Sequence, residues 1–166
     1  MTEFNVAVVV EGVDLTDQTL EAVFASLPDA VPATIDSTVI ISSPIEAHDA
    51  GAAARSLVAA LRVVLPRAVP VRLDQELVSI SDIATRTERT RESVRLLVEG
   101  KRGPGSFPAA IGVVGDSIRI WPWAVVADWF RDSAGEDLSE RGVRPEVAAE
   151  IDAELARARA DRVLTS

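Results

Sequence analysis

Residues 79–123 constrain the fold of this chain more than any other stretch. Ile80, Ile83 and Ala84 recur at i, i+3, i+4, and Val94, Leu97 and Val98 do the same a few residues later. Between the two patterns lies the polar run Thr87-Glu88-Arg89, which leaves room only for a tight turn. Ala84 is small enough to let two crossed helices approach, and Val94 and Leu97 fill the angle between them. Local signals agree. Ser79 or Ser81 can cap the first helix and Thr90 the second. Asp82 and Glu92 put negative charge near helix N-termini, and Gly100 suits the left-handed position after the second helix.

The residues after the second pattern complete a recognisable unit. Lys101 and Arg102 abut the turn Gly103-Pro104-Gly105, whose backbone can approach a phosphate. Residues 110–114 and 117–121 flank Gly115-Asp116 and predict a hairpin with a two-residue turn. In that register Val113 faces Ile118, Ile111 faces Ile120, and Arg119 lies opposite Gly112. Two short helices and a hairpin in this order form a winged helix-turn-helix. Its second helix, residues 90–99, would enter the major groove of double-stranded DNA. Arg91 and Arg95 are the candidates for base edges, with Arg89, Thr90 and Ser93 beside them. Ser79, Ser81, Lys101 and Arg102 would contact the DNA backbone, and Arg119 a phosphate or the minor groove.

The stretch resembles actinobacterial helix-turn-helix proteins whose winged helices are similar to those of the MerR and AlpA/excisionase groups. The resemblance rests on Leu77-Val78-Ser79, Asp82-Ile83-Ala84, Arg86-Thr87, Arg91-Glu92-Ser93-Val94-Arg95, Gly103-Pro104-Gly105, Phe107-Pro108 and Trp121-Pro122-Trp123. It covers roughly a quarter of the chain and implies a DNA-binding function. The sequence departs from that pattern at Glu88, where the group has glycine, so strain is expected if φ is positive there.

Charge is distributed to match. The chain carries a net charge of −9. Residues 78–123 hold seven cations against five anions, whereas the segments on either side are net negative. Charges beyond a Debye length of about 8 Å are largely screened, so acidic segments facing away do not forbid DNA binding. They do weaken the non-specific part, which rests on phosphate contacts.

The remaining sequence predicts an α+β organisation. Residues 4–10 form a strand, a helix over 18–27 carries the stripe Leu20, Val23, Phe24 and Leu27, and residues 33–42 form either two short strands around Asp36-Ser37 or one longer strand, with Pro44 ending it. An Ala-rich helix over 49–65 buries Ala54, Leu57, Val58, Leu61 and Leu65, and a strand over 69–73 comes next. This βαββαβ order is that of a ferredoxin-like domain over residues 1–76. The winged helix-turn-helix then spans 77–132, where Trp123, Val126, Ala127 and Phe130 line a short helix. Residues 133–144 read as a polar linker and 145–166 as a C-terminal helix. Val147, Ile151, Leu155, Ala158 and Arg162 form a narrow seam on that helix, suited to a partner helix from a second copy or to the chain's own N-terminal domain.

Little points to catalysis. There is no cysteine, hence no disulfide framework or thiolate, and only one histidine. His48-Asp49 are adjacent at a helix start and cannot orient one another as a base and its partner do. No enzyme, cofactor or metal is expected. No apolar run approaches a membrane span, and Met-Thr-Glu-Phe lacks the basic start of a signal peptide, so a cytoplasmic protein is expected. The leading expectation is a sequence-specific, homodimeric transcriptional regulator. The alternative is a protein-interaction module such as an antitoxin, whose acidic N-terminal domain binds a partner protein. A small-molecule sensor, by analogy of fold alone, is a weaker third reading.

Overall fold

The computed structural model describes all residues 1–166 as a mixed α+β chain with six helices and antiparallel sheets. Its residues divide into two compact units, one of 1–75 with 142–166 and one of 76–141.

The first unit is built on β1 (Thr2–Glu11), α1 (Asp17–Ser26), β2 (Val31–Ile35), β3 (Thr38–Ala47), α2 (Ala50–Val64) and β4 (Val69–Leu73), joined by the last helix of the chain. The strands form one antiparallel sheet in the order β2-β3-β1-β4. The sheet alternates as period-two geometry requires: Val6, Val8, Val10, Val39 and Ile41 face the helices with Leu57 and Leu61 of α2. The predicted α2 stripe is buried throughout, whereas Phe24 of α1 is 44% exposed and Val23 carries that helix's burial. The β2–β3 hairpin turns at Asp36 and Ser37, both with positive φ (48° and 66°), the pair a type I′ turn needs. Pro44 does not end β3, which runs on to Ala47. Beyond Ser42 the strand has no β2 neighbour, and Pro44 pairs only with Asn5 of β1, so its missing N–H breaks no second ladder.

The second unit contains β5 (Leu77–Val78), α3 (Ile80–Arg86), α4 (Arg91–Val98), β6 (Gly112–Val114), β7 (Ile118–Pro122) and α5 (Trp123–Asp132). The sequence pattern does not predict β5. This strand pairs Val78 with Trp121 and completes a three-stranded sheet, β5-β7-β6. The β6–β7 pairing differs from the predicted register. Gly112 lies opposite Ile120, Val113 opposite Arg119 and Val114 opposite Ile118, and the loop takes three residues, 115–117. Val113 and Val114 are both apolar, so alternation does not choose between the two registers and loop geometry decides. All three tryptophans are buried, and each indole N–H is satisfied. Trp121 donates to the Pro108 carbonyl, Trp129 to the Gly105 carbonyl and Trp123 to Glu140.

In the C-terminal third one expectation is corrected and one alternative is decided. Residues 133–141 are not a free linker. Ala134 and Leu138 pack on the second unit's core, and Glu136 and Glu140 bind Arg89 and Trp123. Of the two partners open to the seam of residues 145–166, a second copy or the chain's own N-terminal domain, the helix takes the second. Helix α6 (Pro145–Thr165) buries Ala148, Ile151 and Leu155 in the core of the first unit. The physical reason lies in β4, an edge strand. The Asp152 carboxylate accepts from the Leu73 backbone N–H at 2.7 Å, and Arg55 of α2 forks onto Glu154. The helix thereby covers an edge that would otherwise stay open.

Candidate nucleic-acid interface

The predicted site residues fall on α3, α4, the loop after α4 and the β6–β7 hairpin. Helix α3 starts with a reciprocal capping box. The Ser79 hydroxyl accepts from Asp82 N, and the Asp82 carboxylate accepts from the Ser79 backbone N–H at 2.8 Å. The Ser79 hydroxyl also donates to the Asp82 carboxylate at 2.8 Å, and the bonds from the Ser79 backbone first and its hydroxyl second hold the Asp82 carboxyl below its ordinary range. Thr90 caps α4 by accepting from Ser93 N. Ser79 and Thr90 therefore have structural duties, while Ser81 stands half-buried in the first turn of α3.

Both helices end in the same motif. At α4 the N–H of Lys101 reaches the Leu96 carbonyl and that of Gly100 the Leu97 carbonyl, with Gly100 at φ 71°. At α3 the N–H of Arg89 reaches the Ala84 carbonyl and that of Glu88 the Thr85 carbonyl, with Glu88 at φ 52°. The conditional expectation of strain at Glu88 thus meets a positive φ. Gly103 is tied to its place twice over. Its φ is 75°, and a Cβ there would lie 2.8 Å from the Leu97 side chain and 3.8 Å from Trp129. The chain after α4 is therefore folded tightly against the helix and α5.

The cations separate into engaged and unengaged groups. Arg89 is drawn inward, forking onto Glu136 and lying 5.0 Å from the Phe130 ring centre. Arg86, outside the predicted set, pairs with Glu76 at 2.7 Å and covers Trp123. Arg119 lies over Trp121 at 5.9 Å, two residues along the same strand face. Arg95 is held from both sides along α4. Its Nε and Nη2 meet the Glu92 carboxylate at 2.9 and 2.5 Å, and its Nη1 meets Glu99 at 2.7 Å. Lys101 takes the other Glu99 oxygen at 2.9 Å. Arg95 holds the Glu92 carboxyl below the ordinary range, Lys101 and then Arg95 do the same for Glu99, and the Arg95 guanidinium is pushed up in turn by Glu92 and Glu99. Arg91 and Arg102 are exposed with no ion pair.

The surface from Arg91 to Arg102 thus carries four cations and two anions. Sequence reasoning identifies the cations but not Glu92 and Glu99 as their partners. The i, i+3 and i, i+4 spacing from Glu92 to Arg95 and from Arg95 to Glu99 is the available signal. Glu136, 47 residues from Arg89, leaves no local signal at all. No group of three or more His, Asp or Glu side chains comes together as a metal site, and no helix is long and apolar enough to cross a membrane. Searches against protein-family models, curated proteins and solved structures found no match to this chain.

Proposed function

We propose that this chain is a sequence-specific DNA-binding protein, a transcriptional regulator acting as a homodimer. In this reading α3, α4 and the β6–β7 hairpin form a winged helix-turn-helix, and the first unit is a ferredoxin-like sandwich. The sheet order β2-β3-β1-β4, with two helices on one face, supports the second assignment. The observation that carries the functional reading is the exposed surface of α4. Arg91 and Arg95 stand one turn apart on it and continue into Lys101 and Arg102 on a tightly fixed loop. Such a helix supplies side chains for base edges, and the loop supplies cations for the backbone. The surface is only modestly positive, so one copy binds modestly. A second copy raises the effective concentration of the second contact.

The first test is a titration of a fluorescently labelled random-sequence duplex at several salt concentrations. The expected result is binding whose log K falls linearly with log salt, with a slope of roughly two to four from a few phosphate contacts per copy. Absence of binding at low salt would remove DNA from the account. The first unit holds eight cations against fifteen anions, which favours a second reading, capture of a basic protein partner. An adjacent gene for a small basic protein that co-purifies with this chain would support that reading.

A further inference from the structure

The cluster Glu92–Arg95–Glu99–Lys101 is more than a row of surface ion pairs, because it leaves a particular set of donors free. A guanidinium has five N–H groups in one plane. Glu92 takes the Nε proton and one on Nη2, and Glu99 takes one on Nη1. Two protons remain, one on each terminal nitrogen, the number that a bidentate acceptor needs. Clamped from the turn before and the turn after, the side chain has given up much of its rotamer freedom before any ligand arrives.

The carboxylates also select what can approach. Two cations and two anions make the cluster neutral as a whole, and a phosphate nearing Arg95 meets Glu92 and Glu99 at once. A base edge carries no net charge and meets no such repulsion. Guanine offers O6 and N7 as adjacent acceptors in the major groove. Arg91 and Arg102, with no ion pair, lack this filter and suit phosphates.

We infer that Arg95 is the guanine reader of this protein, and that Glu92 and Glu99 are positioning residues that aim it at a neutral two-acceptor base edge and turn it from phosphate. The inference rests on the DNA-binding reading and adds a division of labour within it. One arginine of α4 specifies, and its neighbour Arg91 anchors.

The experiment uses the full chain and a duplex enriched from a random double-stranded library. Binding is measured for the parent, Arg95→Lys, and the double variant Glu92→Gln with Glu99→Gln. The probes are the enriched duplex, the same duplex with each guanine replaced in turn by 7-deazaguanine, and a random duplex. For the parent, one 7-deazaguanine position costs about tenfold or more in affinity. Arg95→Lys, a point charge without a fork, loses that penalty. The double Gln variant binds random DNA several-fold tighter, with a salt slope steeper by roughly one unit. Its penalty at that guanine falls several-fold. Thermal melting checks that the variants are folded. A double variant with the parent's discrimination and salt slope would show that the carboxylates are ordinary surface partners. An Arg95→Lys protein that still senses the guanine would remove Arg95 as its reader. Both results leave DNA binding itself standing, whereas a parent that enriches no duplex removes the reading beneath the inference as well.

Discussion

Glu88→Gly should stabilise the second unit. Helices α3 and α4 end in the same hydrogen-bonded motif, but glycine fills the left-handed position in one and glutamate in the other. A side chain in that conformation costs about 1–2 kcal/mol. Glycine regains freedom in the unfolded chain, which takes back about 0.4–1 kcal/mol. Glu88 is exposed and its side chain makes no hydrogen bond or ion pair, so its removal breaks no interaction. The net gain spans about 0–1.6 kcal/mol and centres on ~0.8, or roughly 3–6 °C in midpoint for a domain of this size. All three tryptophans lie in the core of this unit, so indole emission during heating tracks it selectively. Glu88→Ala serves as the control, since it deletes the charge but keeps the strained φ, and its midpoint should stay close to the parent's. A glycine variant that melts at or below the parent, or an alanine variant that gains as much, would refute the strain argument.

Four further perturbations separate the remaining contributions. Gly103→Ala should destabilise the same unit by about 1–3 kcal/mol, from the left-handed φ and the close approach to Leu97. Denaturant unfolding monitored by indole emission would show it, and an unchanged midpoint would contradict it. Ile151→Glu should destabilise the first unit by several kcal/mol, on the order of 3–5, by placing a carboxylate in its core. Far-UV circular dichroism in urea measures this, and a variant that merely changes oligomeric state while staying as stable as the parent would return α6 to the role of an exposed seam. Asp82→Asn should flatten the acid limb of the second unit's stability. The lowered native pKa of Asp82 makes its contribution fully present above the ordinary aspartate value near 4, and removes it as pH falls through the lowered value. Indole-detected melts from pH 7 down to pH 2 test this, and identical pH profiles for parent and variant would exclude the capping carboxylate as the cause. Lys101→Ala with Arg102→Ala should weaken specific and random DNA binding alike, and lower the salt slope by roughly one unit for each phosphate the protein no longer reaches. An unchanged slope in the same titration would exclude both side chains from the DNA backbone.

Much of the fold is legible in the sequence because local and long-range demands agree. The α2 stripe and the caps Ser79 and Thr90 are written in spacing and residue type, and tertiary packing uses them unchanged. The illegible parts depend on neighbours distant in sequence. Strand β5 is two residues long and exists only because Trp121 and Pro122 lie beside it. Pro44 sits inside a strand because β2 has already ended. Residues 133–141 look like a linker by composition, yet Arg89 and Trp123 hold them through single carboxylates. The α6 stripe shows its spacing but not its partner, since a narrow apolar seam fits another copy or an open sheet edge equally well. The candidate site divides the same way. The cations of α4 and its loop are visible one by one, while the pairing that distinguishes Arg95 from Arg91 becomes visible once the helix is in place.

DNA reading by α4 is tested most sharply by enrichment from a random double-stranded library with the full chain, repeated with the double variant Arg91→Ala with Arg95→Ala. The parent should enrich a defined sequence, containing guanine in each half-site and arranged as two related half-sites. The variant should enrich no such sequence, with its indole-detected melt unchanged. A parent that enriches no sequence, or a variant that enriches the same one, would contradict the assignment of α4 as the element that reads DNA.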